Sequence, residues 1–420
     1  MKQIIIEGNK RLMGTIEISG AKNSAVALIP ASLLSDDIVT IDNIPNISDI
    51  DALNEILEYL GATVKKEGSR LQIDSRTIKN KEIPESISKK LRASYYFMSA
   101  LLGKFKKVEM YFPGGCSIGA RPIDQTLKGY KALGATVIEE KNKYTVFADN
   151  LTGGHVYLDM PSVGATINTI LVAVKAKGIT ILENAAKEPE IVNLVIFLNN
   201  MGAKITGAGT SEIRIKGVSK LGKSFTEVIP DRIETGTYII AGALMGKNLK
   251  ISNIIPEHVE SLVLKLKEMG VKIDIKEDYL HITSPSRLKP ITIKTLGYPG
   301  FPTDLQQPIT TLLTQCEGIS KVNETIYENR FQNISYLNDM GANIEIIDNH
   351  NIKIKGKTDL KGCEVKATDL RAGACLVLAA LLAKGKTTIT DADHVLRGYE
   401  DIVSKLRKAG ASIEIKTIEE

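Results

Sequence analysis

Cysteine is scarce in this chain of 420 residues: Cys116, Cys316, Cys363 and Cys375 are the whole set, and no two stand in CxxC spacing. That leaves no paired-thiol motif, and free thiols in a reducing cytoplasm are expected. The five histidines form no HExxH or similar pair, so no metal site is expected. No apolar run approaches the roughly 18 residues that cross a bilayer; even Ala372 to Ala383 ends at Lys384. The opening MKQIIIEGNKRL is too short and too soon charged to be a signal peptide. These absences predict a cytoplasmic protein with no membrane partner. Nucleotide-binding loops are missing as well. The GKT at Gly385 has Ala380 where a P-loop requires its first glycine, and Gly207-Ala208-Gly209 lacks the last glycine of a dinucleotide fingerprint. Charge of one sign is also in short supply: 54 basic and 49 acidic side chains leave a net charge of +5, with no basic tail or run. That balance suits small anionic substrates better than a nucleic-acid groove.

What the chain does have is apolar content, 43%, and length enough for two or three domains at about 150 residues each. It also has a repeat. LGA, LGA, MGA, MGV, MGA and AGA place glycines at 61, 134, 202, 270, 341 and 410, separated by 73, 68, 68, 71 and 69 residues. Each glycine follows an amphipathic stretch; in the first, Ile50, Leu53, Ile56, Leu57 and Leu60 fall on one helical face. The glycine is then the left-handed residue that closes the helix. Upstream in each copy lies a segment apolar on every side, such as KNSAVALIPASLL, TGTYIIAGALMG or RAGACLVLAALLAKG, and a helix of that kind must be buried. Six units of strand, buried helix, strand, amphipathic helix and one or two strands are predicted. They form an α/β protein of two globes, three units each, with helices inside and sheets outside.

Polar residues cluster where these buried helices begin: Lys22-Asn23, Arg92, Ser162-Val163-Gly164, Asp231-Arg232, Asp304, and Asp369 with Arg371. Helix N-termini offer unpaired N–H groups and a positive dipole end, so several together make an anion pocket. Ordinary capping is the alternative, with Asp304 and Asp369 bonding first-turn amides. Capping does not explain why the cations Lys22, Arg92 and Arg371 stand at ends the dipole disfavours. The loop PGGCSIGARP, Pro113 to Pro122, carries three glycines and two prolines around Cys116. Such a loop is a poor place for a structural thiol, and Arg121 nearby favours thiolate. An incidental cysteine in a turn is the alternative there. Core packing is expected for Cys316, Cys363 and Cys375.

GAKNSA at Gly20, LRASYYFMSALLG at Leu91, PGGCSIGARPID at Pro113, PSVGATINTI at Pro161, ENAAKEPEIVNL at Glu183, PDRIETGTY at Pro230, GFPTDLQQP at Gly300, ENRF at Glu328, TDLRAGA at Thr368 and RGYE at Arg397 together resemble the UDP-N-acetylglucosamine 1-carboxyvinyltransferases, within the wider EPSP synthase family. The likeness runs through the whole chain in order. It implies an inside-out α/β barrel of two domains, residues 22–229 on the UDP-sugar side and 1–21 with 230–420 as the catalytic domain, with the active site in the cleft between them. It implies transfer of the enolpyruvyl group of phosphoenolpyruvate to the 3′-hydroxyl of UDP-N-acetylglucosamine, the first committed step of peptidoglycan synthesis, and inhibition by fosfomycin.

Residue by residue, the resemblance implies that Lys22, Arg121 and Arg397 hold the phosphate of phosphoenolpyruvate, with Arg371 at its carboxylate. Asn23 and Asp369 orient the intermediate. Arg92, Arg121, Pro122, Ile123, Asp124, Gln125, Ser162, Val163 and Gly164 contact the UDP-sugar, and Ile326 meets it through its backbone. Cys116 delivers a proton to C3 of phosphoenolpyruvate and can form a covalent adduct with it, and Asp304 takes the proton of the sugar hydroxyl. Phosphoenolpyruvate is a substrate here, and no cofactor is implied. Two positions depart from the family pattern: Thr126 stands where histidine is common and Met160 where lysine is common. Two rival readings stay open, a shikimate-pathway enolpyruvyl transferase and a noncatalytic repeat scaffold. PGGCSIGARP and PSVGAT argue against the first, and the joint presence of Lys22, Cys116, Asp304, Arg371 and Arg397 argues against the second.

Overall fold

A computed structural model describes residues 2–112 and 123–418. They form two compact units, one of residues 2–19 and 230–418 and the other of residues 20–112 and 123–229. Each unit has its own apolar core and three of the predicted repeats.

The third repeat shows the plan. His155–Tyr157 runs parallel to Ile179–Glu183, and the buried helix Val163–Ala173 crosses between them. The helix Pro189–Asn200 follows, and then the hairpin of Lys204–Thr206 and Glu212–Lys216. The second hairpin strand pairs with Ile179–Glu183, so the sheet reads first, second, fourth, third. The fifth repeat is built the same way from Thr292–Lys294, Gly318–Asn323, Ile344–Asp348 and Asn351–Gly356.

Three repeats borrow a strand from far away in the sequence. Ser224–Glu227 lies parallel to Ile38–Asp42 and completes the first sheet. Thr15–Glu17 does the same for Leu249–Ser252 in the fourth. In the sixth, the N-terminal strand Lys2–Glu7 sits between Lys386–Thr390 and Ser412–Thr417, in the place of the fourth strand. The second repeat has three strands among the described residues, and the single parallel bridge from Ile83 to Met110 stands where the first strand would be.

The predicted burial pattern is present. Ile50, Leu53, Ile56, Leu57 and Leu60 are wholly buried on the inner face of Ser48–Leu60. The closing glycines 61, 134, 202, 270, 341 and 410 all have φ between 90° and 105°, a conformation that costs any residue with a Cβ. The helices that were apolar on all sides lie inside, and in one unit Arg232–Met245, Gln306–Leu313 and Leu370–Leu382 pack against one another. Gln306–Leu313 is buried along its whole length although it carries two threonines. It tolerates this because Thr310 Oγ1 donates to the Gln306 carbonyl at 2.8 Å and Thr311 Oγ1 to the Cys375 carbonyl at 3.0 Å. Each hydroxyl left unpaired would cost about 1–3 kcal/mol. No helix among the described residues is long and apolar enough to cross a membrane.

Candidate active site

In the unit that contains residues 230–418, the starts of three buried helices come together. Asp231 caps the first, accepting from the Ile233 and Glu234 amides at 2.8 and 2.9 Å. Asp369 caps the third, accepting from the Arg371 and Ala372 amides at 2.8 and 2.9 Å, with Gln307 Nε2 on its other oxygen at 3.3 Å. Capping therefore describes Asp369 well. It does not describe Asp304. Asp304 lies in the 3₁₀ turn Thr303–Leu305 ahead of Gln306–Leu313, and it makes no cap bond.

The Asp304 carboxylate instead receives two guanidinium groups, Arg330 Nη2 at 2.8 Å and Arg371 Nη2 at 3.3 Å. The arginine side chains are 4% and 5% exposed while that of Asp304 keeps 25%, so the cations are sealed in and the carboxylate is reachable. Burial alone would raise the Asp304 carboxyl, but Arg371 and Arg330, with Arg232 behind them, outweigh it and hold the group well below the usual carboxylate range. Arg371 is in turn placed over the Tyr399 ring, 5.2 Å from its centroid, and Tyr399 shares a 2.9 Å hydrogen bond with Thr237. Arg397 follows the short helix Asp393–Leu396, two residues before Tyr399, and is partly exposed. Ile326, 43% exposed, belongs to the segment that leads to Arg330.

In the other unit, Lys22 is the first residue of Lys22–Ala31, a helix with no side-chain cap. Its ammonium lies 2.7 Å from Asp49, and both side chains are largely buried. A buried carboxylate beside it is thus what holds a cation at a helix start that the dipole disfavours. Asn23 is partly buried beside it. Arg92 opens the 3₁₀ turn Arg92–Tyr95 and stacks on Phe112, 5.1 Å from the ring centroid. Ser162 caps Val163–Ala173 through the Ala165 amide at 3.2 Å, and Gly164 lies so close to the Tyr95 hydroxyl that a Cβ there would be 1.8 Å from it. Ile123 and Asp124 start the helix Asp124–Ala132. Gln125 bonds Asp159 twice, donating to its carboxylate at 3.0 Å and accepting from its amide at 2.9 Å, which ties that helix to the strand end before Ser162. Of the two departures from the family pattern, Thr126 is buried and Met160 is 63% exposed.

Cys116, Arg121 and Pro122 lie outside the described residues. Cys316 and Cys375 are buried, and burial raises both thiols to about 11; burial also raises the half-buried Cys363. Asp49, Arg330 and Tyr399 were missed as site candidates. Arg330 and Tyr399 stood inside the motifs ENRF and RGYE, but nothing local marks Asp49 as a partner of Lys22. Among the described residues no group of His, Cys, Asp and Glu side chains could hold a metal ion.

Comparison with known proteins agrees with this architecture. The family model of EPSP synthase (3-phosphoshikimate 1-carboxyvinyltransferase) matches residues 6–406. UDP-N-acetylglucosamine 1-carboxyvinyltransferase 2 of Streptococcus mutans is 51% identical over 417 residues, covering 99% of both chains. The protein of that name from Bacillus subtilis is 51% identical over 414 residues, 98% of this chain and 96% of its own. Among solved structures, the enolpyruvyl transferase NikO of Streptomyces tendae superposes with a TM-score of 0.90 at 27% identity, over 100% of this chain and 99% of that one. EPSP synthase of Acinetobacter baumannii, 18% identical over 99% of this chain and 100% of its own, shares the fold with a TM-score of 0.76. On a family model that covers nearly the whole chain and on full-length relatives at half identity, the chain belongs to the EPSP synthase family, among the UDP-N-acetylglucosamine 1-carboxyvinyltransferases.

Proposed function

We propose that this enzyme transfers the enolpyruvyl group of phosphoenolpyruvate to the 3′-hydroxyl of UDP-N-acetylglucosamine and releases inorganic phosphate. The observation that carries the reading is the reachable Asp304 carboxylate set between the buried Arg330 and Arg371. The relatives named for this reaction support it. In the reading, the 3′-oxygen bonds to C2 of phosphoenolpyruvate, its proton passes to Asp304, and C3 takes a proton from Cys116. Phosphate then leaves from C2 as C3 gives up a proton to the Cys116 thiolate left by the first step, which restores the vinyl group. Lys22, Arg121 and Arg397 take the phosphate, which gains charge as it departs. Asn23 and Asp369 orient the intermediate.

A carboxylate held low by two arginines is a weak base. Phosphoenolpyruvate corrects this: when Arg371 turns its positive charge to the substrate carboxylate, Asp304 loses part of the field that depresses it, and its affinity for a proton rises. Arg92, Arg121 to Gln125, Ser162 to Gly164 and the backbone of Ile326 bind the UDP-sugar. The reaction uses no metal or cofactor. It belongs to peptidoglycan precursor synthesis in the cytoplasm, and so to cell shape and division. Nuclear magnetic resonance of the product tests the assignment. A vinyl ether at O3′ of the sugar is expected, and a product with the sugar unchanged would refute it.

A further inference from the structure

Glu324 stands at the end of the strand Gly318–Asn323, wholly buried, and is absent from every role assigned so far. Its carboxylate is the hub of a network. Oε1 accepts from Thr295 Oγ1 at 3.0 Å, the Ile326 amide at 2.8 Å and the Tyr327 amide at 3.3 Å. Oε2 accepts from Thr303 Oγ1 at 2.9 Å. The two hydroxyls are used in both directions: Thr295 accepts from the Thr325 amide at 2.8 Å, and Thr303 accepts from Arg330 Nη1 at 2.6 Å. The same guanidinium reaches Asp304 through Nη2 and lies over the Tyr327 ring at 5.1 Å. The main chain of Glu324 is itself fixed, because its amide donates to the His350 carbonyl and its carbonyl accepts from His350 Nδ1, both at 2.7 Å.

We propose that Glu324 is a positioning residue for the acceptor sugar, holding the Ile326 backbone and the Asp304 carboxylate in one frame. The inference rests on the function proposed above, in which both groups meet the sugar. With its N–H spent on Glu324, the main-chain group that Ile326 can offer a substrate is its carbonyl, which accepts from a sugar hydroxyl or amide. Through Thr303 and Arg330 the same carboxylate fixes the orientation of Asp304, three hydrogen bonds away. Every neighbour of the carboxylate, two hydroxyls and two amides, donates to it, which suits the acceptor oxygens of a glutamate. In this reading phosphoenolpyruvate reaches Asp304 only through Arg371, whereas Glu324 acts through Thr303 and Arg330, so the effect of Glu324 falls mainly on the sugar.

The test is steady-state kinetics of Glu324→Gln, which keeps the shape and removes the charge, beside Thr303→Val, which keeps Glu324 and cuts only its link to Arg330. Glu324→Gln is expected to raise KM for UDP-N-acetylglucosamine about tenfold, the size of one charge-assisted hydrogen bond, while KM for phosphoenolpyruvate changes by less than about twofold. Thr303→Val is expected to lower kcat by about the same factor and to leave KM for phosphoenolpyruvate alone. Equal rises in both KM values, or unchanged constants in both variants, would overturn the role of Glu324. If Glu324→Gln does not fold, Thr303→Val decides, and an unaltered kcat there overturns it. A wild-type enzyme that does not use the UDP-sugar at all would instead defeat the proposed function, and this inference with it.

Discussion

Replacing Asp304 by asparagine removes one charge and little volume from the most constrained part of the site. The cost to folding can be set from its partners. Removing one member of a buried ion pair costs about 3–5 kcal/mol when the other is left alone. Here neither arginine is left alone: Arg330 keeps Thr303 Oγ1 at 2.6 Å, and Arg371 keeps the Tyr399 face. The amide oxygen can still accept from one of them. The loss is therefore expected near the bottom of that range, about 3 kcal/mol, and the variant should fold. Turnover is a different matter, because an amide cannot take the hydroxyl proton; loss of a general base costs about 10²–10⁴-fold. The assay is phosphate release for kcat, with calorimetric binding of the UDP-sugar and a thermal melt on the same preparation. A kcat within about threefold of wild type, less than the smallest loss expected for a base, would remove Asp304 from the mechanism.

Fosfomycin is expected to label Cys116 alone, read by peptide mass analysis after time-dependent inactivation. Thiols raised to about 11, as at Cys316 and Cys375, hold roughly one hundredth of a per cent thiolate at pH 7, against about three per cent for an ordinary cysteine. A label on Cys316, Cys363 or Cys375 would show the reactive thiol to be misassigned, as would a Cys116→Asp enzyme as sensitive as wild type. Stability should also depend on Glu234, which accepts from Lys405 and the Ser19 amide and is raised to about 7, burial outweighing Lys405. The folded state then keeps this proton to higher pH than the unfolded chain does, so stability falls as pH rises from about 4.5 to about 7 and is level above. Glu234→Gln should flatten that part of the wild-type curve in chemical unfolding, and an identical slope in both proteins would count against it. Asp304 has the opposite sign. Its stabilising ion pairs are fully present above about pH 4 and are lost as acid protonates it below that value, so Asp304→Asn should lack that part of the wild-type fall in stability with acid, and an identical acid slope in both proteins would count against it.

The fold was legible wherever its rules are local. The αL glycines at 61, 134, 202, 270, 341 and 410 and the apolar faces before them carry the period of the repeat, and the six buried helices are visible because small and apolar residues recur on every side of them. The borrowed strands were not legible. Thr15–Glu17 has three residues and no periodicity to speak of, and nothing in it points to Leu249–Ser252; likewise Ser224–Glu227 and Ile38–Asp42 find each other only through tertiary packing. The site divides in the same way. Lys22, Arg371 and Asp304 stood out by their place at helix starts, and capping seemed as good an account of Asp304 as of Asp369. Distance separates the two: Asp369 bonds first-turn amides, whereas Asp304 is claimed by Arg330 and Arg371, 26 and 67 residues on. Asp49 and Glu324 were invisible for that reason, since a buried carboxylate is known by its partners and those are set by the fold.

The central claim is acceptor identity, and one competition measures it. The full-length enzyme is given phosphoenolpyruvate with UDP-N-acetylglucosamine, with shikimate 3-phosphate, and with both, and phosphate release is followed against product mass. Phosphate released one for one with enolpyruvyl-UDP-N-acetylglucosamine, at a rate shikimate 3-phosphate neither supports nor slows, is the predicted result. Release with shikimate 3-phosphate in place of the UDP-sugar, or with neither acceptor, would contradict it.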